Sequence, residues 1–247
     1  MTAPADRPAG STPTAASGSA PDGPLIVPLL VLFPVLIAAN LAQFRLSPWT
    51  IAIGIMMTAT LAVIARFARL GPADLGLRRA SMPAGLRWGG GFAAVVAAAY
   101  GVALLIPFAR DAVGSSGGGS WHSVVWSMLV VIPLATVIPE ELAFRGVLWG
   151  LVRRRSGPRT ATMVSSLLFG VWHVLPALGG GAANAAVSGT VGGGPLGVLV
   201  RVVTTVLFTA FAGVVLCLLR SRSDSLLAPV IAHWSVNALG LLFVQLA

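Results

Sequence analysis
The sequence predicts an all-α fold: a polytopic transmembrane helical bundle of about seven spans, built around a polar intramembrane cavity. Three observations carry that prediction. The 247 residues are 56% hydrophobic and only 9% charged, with mean hydropathy +0.90, more apolar surface than a soluble domain of this size can hide. All 16 basic residues are arginines, and they cluster between the apolar runs, as the positive-inside bias demands. Glu140 and Glu141, the chain's only glutamates, directly follow the apolar run Val124–Ile138. A charge near a bilayer centre costs roughly 3 kcal/mol on insertion scales, so these acids should be paired, buried in protein and useful.

The net charge of +9 could suggest nucleic acid, but arginines placed between membrane spans are not the footprint of a nucleic-acid surface, and no such partner is expected. Cys217 is the only cysteine and lies in an apolar run, which excludes an intramolecular disulfide or a cysteine-rich metal site.

Residues 1–24, rich in Pro, Ala, Ser, Thr and Gly, read as a disordered tail rather than a signal peptide; residues 25–247 form the transmembrane domain. The first span is Leu25–Phe44, with Pro28 and Pro34 inside it, and the second is Trp49–Ala65. Arginines at 66, 69, 78, 79 and 87 mark a cytoplasmic loop before the third span, Trp88–Ala109. Trp49, Trp88 and Trp121 each open a span, where amphipathic rings favour the interface.

The fourth element runs from Trp121 to Val152, longer than one crossing needs, and Pro139 inside it predicts a kink beside Glu140. Arginines 153–155 and 159 mark the next cytoplasmic loop. The fifth span is Thr160–Leu178, followed by a glycine-rich, uncharged loop over 179–197 that suits a passive connector or a mobile cover. The sixth span is Leu196–Leu219 and the seventh Leu226–Leu246, with Arg220, Arg222 and Asp224 between them. Alternation of the arginine loops puts the N-terminus in the cytoplasm and the C-terminus outside, in a multi-pass protein of the cell membrane.

Three patterns place polar residues one helical turn apart: Glu140-Glu141-x-x-x-Arg145, Phe169-x-x-x-His173 and His233-x-x-x-Asn237. Glu141 and Arg145 share a helical face in the favourable acid-before-base order, and Glu140 points about 100° away. Counted from the arginine at each span's cytoplasmic end, Glu141, His173 and His233 lie about 18, 21 and 16 Å deep at 1.5 Å per residue. Acids and imidazoles at one depth suit a water-containing catalytic cavity. Singly, each pattern could be an interhelical staple; three at one level favour chemistry. Phe169 reads as packing that shapes the site wall, His122 as interfacial, and Arg201 as snorkelling.

In order, on successive hydrophobic helices, these three motifs resemble the CPBP family of intramembrane endopeptidases, also known as CAAX proteases, bacteriocin-processing enzymes and Abi proteins. The resemblance covers about residues 121–240, and the run Asp74-Leu75-Gly76-Leu77-Arg78 is similar to a loop of the same family. It implies an all-helical membrane enzyme that cuts a peptide or membrane-protein substrate. By position, Glu140 would be the general base, His173 its partner in holding water, His233 and Asn237 the oxyanion donors, and Glu141 with Arg145 a supporting pair.

The residue types suit that chemistry on their own terms: hydrolysis needs a base for water and donors for the oxyanion. Zinc is also open, because Glu140 or Glu141 with His173 and His233 would supply three ligands. The missing His-Glu-x-x-His signature favours metal-independent glutamate chemistry. The competing readings are a transporter, or an immunity protein that binds without cleaving. A single polar set displaced toward the cytoplasmic half favours the enzyme.

Overall fold
A computed structural model describes residues 26–113, 119–179 and 194–247. The N-terminal tail and most of the glycine-rich 179–197 loop lie outside these residues. The described residues are helical, with no strand among them. Six helical stretches are long and apolar enough to cross a membrane. One of them, Trp121–Leu178, has 58 residues and would measure about 87 Å if straight, nearly three bilayer cores. Gly157 divides it: φ 80°, ψ 172° is open to glycine and costly for other residues, and Pro158 follows at once. The stretch is therefore a helical hairpin, and the spans number seven.

The spans fall where hydropathy puts them, with one shift. The first is Ile26–Arg45, the second Thr50–Phe67, the sixth Pro195–Ser223 and the seventh Leu227–Leu246. The third is Met82–Leu104, beginning six residues before the expected Trp88. Pro83 supplies a ready first turn, so the helix starts inside the basic segment and takes Arg87 with it. It stops before Pro107, which opens a separate short helix, Pro107–Val113.

The fourth span is the axis of the bundle. Residues 143–151 on it are buried without a break, packed against Leu61 and Ile64 of the second span and Phe169 of the fifth. The outer spans turn apolar side chains outward (Leu30, Val95, Phe208 and Phe211 are all well exposed), as a lipid-facing surface requires. Tight crossings rely on small residues. A Cβ on Gly170 would sit 2.9 Å from Ala210 Cβ, and one on Gly213 would sit 3.0 Å from Ser166 Cα, so the fifth and sixth spans meet backbone to backbone.

Around Glu140 the fourth span is not α-helical throughout. Ser127–Val137 and Leu142–Leu148 are π-helical and flank a single α-turn, Ile138–Glu141. Proline lacks an N–H and its ring collides with the carbonyl four residues back. Pro133 lies inside the first π stretch and Pro139 just after it, and the wider turn accommodates both while backbone angles stay helical at Val137, Ile138, Glu141 and Leu142. The disturbance expected beside Glu140 takes the form of local widening.

The three arginine-rich loops converge at one end of the bundle. Arg154 binds the Asp74 carboxylate through Nη2 at 2.6 Å and donates to the carbonyls of Ala68 and Arg69. Arg220, fully buried, donates to the carbonyls of Ala73 and Asp74 and lies 5.0 Å from the Trp149 ring. Leu226 N–H donates to Gly76 O at 2.8 Å. Gly76 has φ 72°, and a Cβ there would strike the Arg220 guanidinium at 2.5 Å, so the loop closes only with glycine at this position.

Burial pushes the Asp74 carboxyl up, but hydrogen bonds from Arg154 and the Gly71 N–H, with the charges of Arg154 and Arg153, outweigh it and hold it below the usual carboxylate range. A lowered folded pKa gives stability that is present above the unfolded value, about 3.9, and lost as pH falls through the folded value. Asp74→Asn should therefore melt below wild type at pH 7. The gap in Tm should close only in acid, below pH about 4.

Candidate active site
The fourth span delivers both glutamates to the interior on adjacent faces. Glu141 and Arg145 are fully buried, and Arg145 Nη1 lies 2.8 Å from Glu141 Oε1, the i,i+4 pair expected from spacing. The same oxygen faces Nδ1 of His233, from the seventh span, at 2.8 Å. A carboxylate only accepts, so His233 carries a proton on Nδ1 and holds its ring by this bond, leaving Nε2 as the nitrogen available for chemistry. Spacing alone pairs Glu141 with Arg145 and leaves His233 separate. The structure makes them a triad.

Glu140, 3% exposed, turns the other way. Its Oε1 accepts from Trp172 Nε1 at 3.0 Å, while Oε2 has no hydrogen-bond partner among the described residues. Trp172 immediately precedes His173, so this bond fixes the glutamate against the segment that carries the imidazole. His173 closes the fifth span's main helix and is half-buried. Its Nδ1 lies 2.7 Å from Phe169 O, a carbonyl that can only accept, so Nδ1 is the protonated nitrogen and Nε2 keeps its lone pair.

Phe169 sits at the hub. Its ring centroid is 4.6 Å from that of His173 and 5.8 Å from that of His233, and the Arg145 guanidinium carbon lies 4.1 Å above it. Phe144 packs edge-on against both Phe169 and Trp172. The aromatic wall therefore separates the two imidazoles and covers the charged triad, which strengthens the charges' mutual attraction by excluding water. Asn237, one turn beyond His233, is half-buried and makes no side-chain hydrogen bond among the described residues. The structure thus joins Glu141, Arg145 and His233 directly, and gathers Glu140 and His173 through Trp172 and Phe169. Asn237 stands beside them uncommitted. His122 is exposed at the start of the fourth span, and Arg201 donates to Ala177 O at the end of the fifth.

The expected zinc ligands, Glu140 or Glu141 with His173 and His233, do not form a ligand set. Among the described residues no group of three or more His, Cys, Asp or Glu side chains is placed to hold a metal ion. Glu141 Oε1 is already taken by Arg145 and His233, whereas a catalytic zinc needs three converging donors. No step is derived through a metal.

Three further polar side chains hold these helices and were not evident from spacing. Trp234 Nε1 donates to Met128 O at 2.8 Å, Gln43 Nε2 to Ala135 O at 3.1 Å, and Asn40 Nδ2 to Trp172 O at 2.8 Å. The proline-rich backbone itself is the signal that such donors are needed.

No curated protein and no solved structure matches the chain. Residues 121–239, from the start of the fourth span to beyond Asn237, match the family model described as Type II CAAX prenyl endopeptidase Rce1-like. The matched segment contains all six candidate residues, in the order the three motifs set. Over these residues the chain is similar to the CAAX prenyl endopeptidases, the family that its three motifs resemble.

Proposed function
We propose that the protein hydrolyses a peptide bond inside the membrane with water activated by Glu140 and His173. The observation that carries this reading is the division of labour between adjacent glutamates. Glu141 Oε1 is held by two cationic or proton-bearing partners, whereas Glu140 Oε1 has one neutral donor, and Oε2 of each has no partner among the described residues. With no cation bound to it, Glu140 is the carboxylate better suited to take a proton.

In this mechanism Glu140 Oε2 removes a proton from water as the water oxygen attacks the substrate carbonyl, and His173 Nε2 accepts a hydrogen bond that orients the water. The carbonyl π electrons move onto oxygen. Asn237 Nδ2 and His233 Nε2 then donate to the oxyanion, His233 doing so as imidazolium with Glu141 as its counter-ion. Collapse of the intermediate breaks the C–N bond, and Glu140 returns its proton to the leaving amine. Arg145 holds Glu141 in place throughout.

The substrate is a peptide segment of a membrane-associated protein. The family description makes a lipid-modified C-terminal peptide the first substrate class to assay. We place the enzyme in the cell membrane with its arginine-rich end toward the cytoplasm. Membrane proteomes of the host carrying wild type or Glu140→Ala should differ in a discrete set of released fragments. A binder or transporter that retains these residues without cleaving would leave the two fragment sets identical.

A further inference from the structure
The first span lies outside the matched residues 121–239, is otherwise almost wholly apolar, and carries two polar side chains one turn apart, Asn40 and Gln43. Each is half-buried, and each donates to one backbone carbonyl. Asn40 Nδ2 meets Trp172 O at 2.8 Å, and Gln43 Nε2 meets Ala135 O at 3.1 Å. Trp172 O would take its α-helical bond from residue 176, a proline with no N–H to give. Ala135 lies in the π-helix, close to its end at Val137.

Inside a bilayer no water replaces such a bond, so a side chain must. The seventh span uses the same device. Trp234 donates to Met128 O, whose π-helical partner five residues on is Pro133.

The positions of the two carbonyls held by these amides are what give the first span a functional part. Trp172 O is the carbonyl that leads into His173, and the indole of that same residue donates to Glu140. Ala135 O sits one turn before Glu140 at the junction of the π-helix and the α-turn that bears it. One face of the first span therefore holds both segments that present the proposed base and its water-orienting partner.

Building on the function proposed above, we infer that Asn40 and Gln43 are positioning residues of the active site. The Asn40 amide replaces the N–H missing from Pro176, the Gln43 amide holds the π-helical turn before Glu140, and together they set the spacing of Glu140 from His173. The prolines free the backbone to adopt the geometry the site needs, and the first span locks it.

The pairing makes a matched-rescue experiment possible. Asn40→Leu and Gln43→Met would be purified in detergent and compared with wild type in single-turnover and steady-state cleavage. Each should lower kcat roughly 10- to 100-fold with little change in KM, since misplacement of reacting groups by about 1 Å costs up to that much. Pro176→Ala restores the backbone donor for Trp172 O. It should rescue Asn40→Leu but not Gln43→Met.

If Asn40→Leu alone does not fold, the comparison is made in the Pro176→Ala background. There the added Asn40→Leu should change kcat by less than about threefold, because the two no longer share a partner. Loss of Tm with unchanged kcat per folded molecule would reduce the pair to scaffolding and overturn the inference, as would equal rescue of Asn40→Leu and Gln43→Met by Pro176→Ala. Glu140→Gln serves as the reference. If it cleaves like wild type, the proposed mechanism fails, whereas matched rescue of Tm would still test the carbonyl pairing.

Discussion
Arg145→Ala and Glu141→Ala should each cost about 3–5 kcal/mol of stability, the usual consequence of stranding one member of a buried ion pair. Both side chains are fully buried and 2.8 Å apart, and Glu141 Oε2 with Arg145 Nε and Nη2 make no hydrogen bond among the described residues. The pair is therefore not a surplus contact in a well-hydrated network. Without Arg145, Glu141 would keep only His233, and the Phe169 ring would lose the guanidinium stacked on it. Without Glu141, the guanidinium would lose its only hydrogen-bonded acceptor and His233 the bond that orients it. We expect folded yield in detergent and Tm to fall in both variants, with activity falling further because the imidazole is released. Replacing both residues together by apolar ones of similar volume should restore much of the stability and none of the catalysis.

Glu140→Gln should behave oppositely. The amide keeps the shape of the side chain, and its oxygen can still accept from Trp172 Nε1, so folding should be close to wild type. What disappears is the proton acceptor, and loss of a general base typically lowers the rate about 10²–10⁴-fold. His173→Ala should match it in sign. His233→Ala and Asn237→Ala should slow cleavage by about 10²–10³-fold if each donates to the oxyanion. Of these two, His233→Ala should also lower Tm, since it removes a partner of buried Glu141. Asn237→Ala should not, because its side chain has no hydrogen bond to lose within the described residues.

The contrast between the two glutamates could be read from spacing alone: Glu141 faces Arg145 at i,i+4 and Glu140 does not. The seven spans were equally legible, because hydropathy and arginine clusters report directly on which segments the bilayer accepts. Contacts between distant segments were not. Nothing in His233-x-x-x-Asn237 says that the imidazole is bonded to Glu141, 92 residues earlier, rather than open to substrate. Proline in the fourth span announced a disturbed helix, but a kink and a π-helical widening remove the same clash, and neighbouring helices decide between them. Here Gly54 of the second span packs directly on the Leu134 carbonyl, and Gln43 reaches in beside it. In an α-helix a stranded carbonyl can be located four residues before a proline, as Trp172 O is before Pro176. Its replacement donor, 132 residues away in the first span, can be found only in three dimensions.

The account stands most directly on one measurement: cleavage of a membrane-anchored, lipid-modified peptide by purified wild type and Glu140→Gln, matched for folded fraction by Tm, with products located by mass spectrometry. Wild type should release a defined C-terminal fragment, and Glu140→Gln should bind the peptide with similar affinity while releasing it at least about 10²-fold more slowly. Equal rates of release from the two folded proteins would contradict the claim that Glu140 activates the attacking water.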